Sequence, residues 1–209
     1  MRTIQYGMDN ARRIIDHYYP SSSPLCDVLL QHSTSVMQRA RLIAANHPEL
    51  GLDTDFLVCA AMVHDIGIVR CHAPAIHCHG TEPYICHGVL GAAMVRDYFT
   101  VLPANDLLSG TMSTDVTLAE RLARVCERHT GAGITARQIR SQQLPLPERD
   151  YLPETLEEQV ICYADKFYSK TRLTHEKTLE EAVRSLQKFG EEGVQRFLEW
   201  QRRFEPTLG

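Results

Sequence analysis

The sequence predicts an all-α fold, a single-domain helical bundle, on three observations. Apolar residues recur at helical spacing in nearly every segment, strand-like alternation never extends beyond a few residues, and the chain contains neither repeats nor low-complexity tracts. The 209 residues, of which 44% are hydrophobic, suffice for one compact core. We therefore expect one domain over residues 1–209.

The clearest helix is predicted to begin at Pro24, because Ser23 can cap it and proline suits a first turn. His32 falls on its inward-facing apolar stripe, which consists of Leu25, Val28, Leu29, Val36, Ala40 and Ile43. Residues 53–67 then predict a short, very apolar helix that begins near an aspartate cap and is stopped by Gly67.

Loops and helices alternate in the rest of the chain. Residues 69–83 and 131–153 carry the prolines and glycines typical of connections, although residues 135–142 could form a short helix. Pro153 is predicted to open a later helix. Other helical patterns cover residues 87–99, 116–129 and 153–173. Two amphipathic helices are predicted at about 176–205, with a capping box formed by Thr178 and Glu181.

Composition excludes several classes of protein. The net charge of −4 argues against an extended nucleic-acid surface. No segment approaches the roughly 20 apolar residues of a membrane span, and the N-terminal segment lacks a secretory signal. We therefore expect a cytoplasmic protein without a membrane partner. Its cysteines should be free thiols, since their number is odd and four lie in apolar helical runs: Cys26, Cys59, Cys126 and Cys162.

The ten histidines divide into two groups. Three lie among polar or helix-end residues and are expected at the surface: His17, His47 and His175. Others fall on apolar elements together with carboxylates, where an unpaired polar group is costly. Five predicted helical segments supply six such side chains: His32, His64, Asp65, His87, His129 and Asp165. Imidazole and carboxylate together suit zinc, iron or manganese. Taken alone, His64 and Asp65 could instead be a buried pair that forms hydrogen bonds without binding a metal.

The order of these residues resembles the H…HD…D ligand set of the HD-domain metal-dependent phosphohydrolase superfamily. His32, then His64–Asp65 and finally Asp165 match that set, and "HDIG" at 64–67 matches the common form of its central motif. The resemblance covers about residues 25–172. Within that range, "ERHTGAGIT" and "LPETLEEQVICYADK" look like a small HDIG-domain family of bacteria and archaea.

The resemblance implies a binuclear site, because members with two further histidines between the HD pair and the last aspartate hold two metals. His87 and His129 occupy such positions; as helix-terminal residues they could alternatively be structural. In the binuclear arrangement Asp65 bridges the metals, His87 and His129 complete one site, and the other site is completed by His32, His64 and Asp165. We expect two divalent metals per chain, drawn from Fe, Mn, Zn, Ni and Co.

The implied reaction is hydrolysis of a phosphomonoester or phosphodiester by a metal-activated hydroxide that Asp65, as the catalytic residue, would orient. The expected partner is a small phosphorylated substrate, above all a nucleotide. Many members continue "HDIG" with a lysine that meets the phosphate, whereas this chain has Ile68. The candidates to replace it are Lys166, Arg128 and Arg70. Two alternatives stay open: a mixed-valent di-iron oxygenase acting on a small polyol or organophosphonate, and a nucleotide-binding regulator without turnover.

Residues 60–88 pack five histidines and three cysteines into one segment. A structural zinc knuckle is one interpretation, but zinc sites favour cysteines three to five positions apart, with two to four residues between them. Cys71 and Cys78 are seven apart, and Cys78 and Cys86 are eight apart. We therefore expect this segment to lie over the metal pocket instead. The C-terminal helices should pack against the bundle, with a homodimer contact as the alternative.

Overall fold

The computed structural model describes residues 2–20, 22–101 and 112–207, with side chains described from residue 7 and, after the longer gap, from residue 118. This part of the chain is helical, as predicted, and β1 (His72–Ala73) and β2 (Cys78–His79) form a minimal antiparallel hairpin. The helices are α1 (Arg2–Tyr18), α2 (Pro24–Asn46), α3 (Thr54–Val63), α4 (His87–Val101), α5 (Met112–Arg128), α6 (Ala136–Gln142), α7 (Leu156–Asp165), α8 (Leu179–Leu186) and α9 (Glu191–Phe204). None of these described helices has the length and apolarity required to cross a bilayer.

Helix α3 lies at the centre of the bundle. It contacts α1, α2, α5 and α7, and every residue from Phe56 to Val63 is buried. A helix that is apolar all round can only be accommodated inside a protein. The His64–Asp65 pair that follows α3 is therefore placed in the interior.

Capping side chains set the helix starts. Ser23 accepts a hydrogen bond from the Cys26 backbone N–H, and Thr178 forms the predicted capping box at α8. The prediction that Pro153 opens a helix was wrong. Helix α7 begins at Leu156 because the Thr155 hydroxyl accepts from the Glu158 backbone N–H and caps it.

The turn after His64–Asp65 is held from two sides. Helix α3 ends at Val63 rather than at Gly67, and residues 66–70 continue as a 3-10 turn. The Tyr19 hydroxyl, just after α1, donates to the Ile66 carbonyl over 2.7 Å. On the other side Gly67 packs directly against the first turns of α4. These contacts fix the orientation of the metal-ligand candidates.

We predict that Gly67→Ala destabilises the fold and disturbs the site. A Cβ at this position would lie 2.0 Å from the His87 carbonyl oxygen and 2.4 Å from the Gly91 nitrogen. Relief requires α4, and with it His87, to move, at a cost of roughly 1–3 kcal/mol or more. Urea unfolding measures that loss. Gly193→Ala, where the new Cβ would lie 3.9 Å from its nearest neighbour, the Ala132 Cβ, is the control for removing a glycine, and equal stability of Gly67→Ala and wild type would contradict the prediction.

The segment predicted as a loop at residues 69–83 has more structure than expected. It contains the β1–β2 hairpin and short 3-10 turns. Strands of two residues are too short to show the apolar alternation by which a strand is recognised in a sequence. The C-terminal prediction is confirmed: α8 and α9 are separate helices, and Phe197, Trp200 and Phe204 are buried against the bundle. A homodimer stays a prediction.

Candidate metal centre

The structure brings all six predicted metal ligands into one buried cluster. They form two groups, and in each group one ligand atom per residue lies within 4.8 Å of the others. The first group is His32, His64, Asp65 and Asp165; the second is Asp65, His87 and His129. Asp65 belongs to both groups.

The two carboxylate oxygens of Asp65 face different histidines. Its Oδ2 lies 3.1 Å from His32 Nε2 and 3.0 Å from His64 Nε2. Its Oδ1 lies 3.4 Å from His87 Nε2 and 3.3 Å from His129 Nε2. A carboxylate in this position can serve two cations, one through each oxygen, which is the role that the family resemblance implies for Asp65.

Backbone carbonyls orient three of the imidazole rings in the same way. Each Nδ1–H donates to the carbonyl three residues earlier, at 2.6–2.7 Å: His64 to Ala61, His87 to Tyr84 and His129 to Cys126. In a neutral ring this leaves Nε2 unprotonated, with its lone pair directed into the cluster. Such hydrogen bonds behind the ring are typical of metal-ligating histidines.

The chemistry of this donor set fits cations. His87 Nε2 lies 3.0 Å from His129 Nε2, although both rings already use Nδ1 as the donor. Two lone pairs at that distance repel unless a positive charge lies near them. In addition, Asp65 Oδ1 is buried without a hydrogen-bond partner in the described part of the chain, and a buried acceptor of this kind is costly when unsatisfied.

Three helices also direct their C-terminal ends at the cluster. His64 follows the last residue of α3, His129 follows the last residue of α5, and Asp165 is the last residue of α7. The C-terminal end of a helix carries roughly half a negative charge. These three helix ends add to the negative charge of Asp65 and Asp165, so the backbone also favours a cation at this point.

Burial and charge shift the pKa values of the cluster. Burial lowers the pKa of His87 to about 3 and also lowers that of His129, which keeps both rings neutral. Burial has the same tendency at His64, but the Asp65 and Asp165 carboxylates together outweigh it and raise the pKa of His64 to about 9. A metal that binds at His64 would therefore replace a proton there.

Two lysines lie directly on the cluster. Lys166 Nζ is 2.6 Å from Asp165 Oδ2, and Lys170 Nζ is 2.6 Å from Asp65 Oδ2. Burial alone would raise the pKa of Asp65, but Lys170 and His64 hold it well below its usual range. Lys170 was not predicted from the sequence, although it follows Lys166 by four residues. Ile68 itself is buried and carries no charge.

A cavity of about 430 Å³ opens onto this cluster. Lys166 and Lys170 line it together with Asp165, His87 and His129, while neither Arg70 nor Arg128 does. Arg128 instead pairs with the carboxylates of Glu154 and Glu158 at 2.9 and 3.1 Å. Arg70 is exposed beside a different surface cavity. Of the three predicted substrate-binding residues, only Lys166 lies in this cavity.

The Cys/His-rich segment covers the cavity, as predicted, through Ala73, Ala75 and Ile76. Its three cysteines are buried, and none of them belongs to a possible metal-ligand group among the described residues. Burial raises the pKa of Cys71 to about 12 and that of Cys78 to about 11. All seven cysteines of the chain are free, as the sequence predicts.

We expect the simultaneous replacement of His72, His77 and His79 by alanine to leave the metal content unchanged. All three side chains are exposed, and none joins either ligand group of the described residues. Elemental analysis of the triple variant beside wild type checks this. A loss of one metal per chain would show that the segment binds a metal of its own.

Comparison with known proteins supports the resemblance found in the sequence. The HD-domain family model matches residues 29–169. An uncharacterised protein of Methanocaldococcus jannaschii is 31% identical over 146 residues, covering 69% of this chain and 68% of its own length. No solved structure matches significantly.

Two archaeal proteins named tRNA (cytidine(56)-2'-O)-methyltransferase are also similar. The protein of Picrophilus torridus is 29% identical over 73% of this chain, and that of Thermoplasma volcanium is 27% identical over 68%. The matched regions span only 35% and 32% of those proteins. Because the family model covers most of the chain and the ligand set of that family is assembled in its interior, this chain belongs to the HD-domain family, within the metal-dependent hydrolase superfamily.

Proposed function

We propose that the protein hydrolyses a phosphomonoester or phosphodiester, above all of a nucleotide, with two divalent metals per chain. One observation carries the proposal: three members of the buried histidine–aspartate cluster, His87, His129 and Asp165, line a cavity whose wall also presents the ammonium groups of lysines. Acceptors for cations and donors for a phosphate are thus side by side. Neither alone would indicate a phosphate ester.

The residues of the chain have separate tasks in this proposal. His32, His64 and Asp165 would hold one metal, and His87 and His129 would hold the other. Asp65 would bind both metals. Two metals lower the pKa of a water molecule towards about 7 and neutralise phosphate charge. The buried carboxylate of Asp65 fixes the relative positions of the two histidine groups. No side-chain nucleophile is needed.

Lys166, Lys170 and Tyr84 would bind the phosphate group. All three line the cavity, and Lys170 Nζ lies 6.0 Å from the centre of the Tyr84 ring. Burial raises the pKa of Tyr84 to about 12, so its hydroxyl stays protonated and can donate a hydrogen bond. Its ring stacks on His87 with centroids 4.8 Å apart. Tyr84 therefore links substrate binding to a metal ligand.

The cavity also supports a nucleotide-sized substrate. Its volume of about 430 Å³ lies within the roughly 300–1,000 Å³ of small-molecule sites. Tyr84, Tyr168 and Phe189 give its wall an aromatic component on which a base could stack. The names of two relatives refer to tRNA, so nucleotides derived from RNA belong among the substrates to be tested.

The test is phosphate release or diester cleavage by protein loaded with Mn²⁺, Co²⁺ or Fe²⁺. The substrates are 5'- and 3'-nucleoside monophosphates, 2',3'-cyclic nucleotides and bis(p-nitrophenyl) phosphate. Asp65→Asn serves as the inactive control. We expect metal-dependent turnover of at least one of these, lost in the control. Turnover of none, or equal turnover by the control, would contradict the proposal.

Two further measurements on the same preparation distinguish the alternatives. Oxygen consumption by iron-loaded protein with a polyol or an organophosphonate would indicate the di-iron oxygenase. Tight binding of a nucleotide that is never converted would indicate a regulator. For the proposed hydrolase we expect turnover under anaerobic conditions, because hydrolysis does not consume O₂.

A further inference from the structure

Lysine is distributed unusually in this chain. The sequence contains 18 arginines but only four lysines, and all four fall between residues 166 and 188. The structure places all four in the wall of the cavity above the metal-ligand cluster: Lys166, Lys170, Lys177 and Lys188. No lysine occurs anywhere else in the chain. If the lysines served only to keep the protein in solution, they would be spread over its surface and not confined to one cavity.

The four lysines fall into two pairs according to their partners. Lys166 and Lys170 are ion-paired with the cluster carboxylates Asp165 and Asp65. Within the described part of the chain, neither Lys177 nor Lys188 has a carboxylate within 4 Å, and Asp165 is the one acidic residue in the cavity wall. Many arginines, by contrast, are paired with carboxylates outside the cavity, such as Arg96, Arg121, Arg124, Arg137 and Arg140. Two positive charges in the cavity are therefore not neutralised by a nearby carboxylate.

Lys177 is held in place without being neutralised. Its Nζ donates to the Lys166 carbonyl over 3.0 Å, and its side chain is half-buried. Burial lowers the pKa of Lys177; the charge of Asp165 opposes this, but those of Lys166, Lys170 and Arg172 act with burial, so the pKa stays below its usual value. A second anion beside Lys177 would relieve this repulsion.

Lys188 lies at the more exposed side of the same cavity. It follows α8, and its ammonium group lies 5.0 Å from the centre of the Phe189 ring. Ser185 and Thr171 also line the cavity, but the Ser185 hydroxyl already donates to the Ala182 carbonyl over 2.7 Å, so the ammonium groups are the main donors available to an anion. Two ammonium groups in one cavity wall, neither paired with a carboxylate, are suited to binding an anion.

We propose that Lys177 and Lys188 bind a second phosphate, so that the substrate is a nucleotide with at least two phosphate groups. One phosphate would lie at the metal-ligand cluster beside Lys166 and Lys170, and the other would lie at the outer pair. This inference rests on the proposed function, because it names the substrate class of the same site. A nucleoside monophosphate would leave the outer pair without an anion.

The test compares the binding of three probes by calorimetry: adenosine 5'-monophosphate, adenosine 5'-diphosphate and adenosine 3',5'-bisphosphate. The proteins are wild type, Lys188→Gln and the double variant Lys177→Gln/Lys188→Gln. Arg184→Gln is the matched control, since Arg184 is a cation on α8 that lines a different groove. Thermal melts establish that each variant is folded. Lys188 is exposed, so Lys188→Gln gives an informative result even if the double variant fails to fold.

We expect wild type to bind at least one of the two-phosphate probes about 10-fold or more tightly than the monophosphate, which corresponds to about 1.4 kcal/mol. The preference should fall in Lys188→Gln, disappear in the double variant and persist in Arg184→Gln. Equal affinity of wild type for all three probes, or an equal loss in Arg184→Gln, would overturn the inference. Turnover is measured separately. If the two-phosphate preference depends on the lysines but no substrate is turned over, the proposed hydrolysis is contradicted and the second phosphate site is not. If substrate is turned over but the preference is absent, the second phosphate site is contradicted and the hydrolysis is not.

Discussion

Asp65→Asn is expected to abolish binding of both metals and to reduce turnover by roughly 1,000-fold or more, about 4 kcal/mol in activation free energy. The effect should be larger than that of any other single replacement. Asp65 faces His32 and His64 through one oxygen and His87 and His129 through the other. Asparagine keeps the shape of the side chain but removes the charge, and it leaves at most one oxygen for two cations.

Elemental analysis and turnover of the same preparation measure this effect. Asp97→Asn is the control, because it removes one carboxylate from an exposed position on α4. The control should keep wild-type metal content and activity. Full metal content in Asp65→Asn would show that the ligand groups do not share this residue.

His129→Gln is expected to remove one metal and to keep the other. His129 and His87 belong to one ligand group with Asp65, whereas His32, His64 and Asp165 belong to the other. We expect metal content to fall by about one per chain and turnover to fall by roughly 100-fold or more, because hydrolysis in this scheme needs both metals.

The reciprocal variant, His32→Gln, provides the comparison. It should also lose about one metal per chain, and His32→Gln/His129→Gln should lose both. If His129→Gln kept two metals, His129 would be a structural residue at the end of α5. If it lost both, the two ligand groups would be coupled more strongly than a shared carboxylate requires.

The helices and the ligand candidates could be predicted because their signals are local. Ser23, Thr178 and the apolar stripe of α2 follow from spacing alone, and the order of the histidines and aspartates resembles a known family. The structure brings these six side chains together. That they bind metal stays a prediction, as does the single domain over residues 1–209.

Signals that depend on distant contacts could not be read from the sequence. Lys170, Lys177 and Lys188 enter the cavity because the chain turns back after α7, and no periodicity indicates that turn. Arg128 was expected at the substrate because it precedes His129, yet Glu154 and Glu158 bind it elsewhere. Neighbouring residues on a helix point about 100° apart, so adjacency to a ligand does not place a side chain in the same pocket.

The most direct test is the number of metals in purified wild-type protein, with Fe, Mn, Zn, Ni and Co counted per chain by elemental analysis. Two ligand groups that share Asp65 predict a value near two. A value near one would limit the site to His32, His64, Asp65 and Asp165 and would contradict the binuclear centre. The absence of bound metal, even after incubation with each of these ions, would contradict a metal centre of either kind.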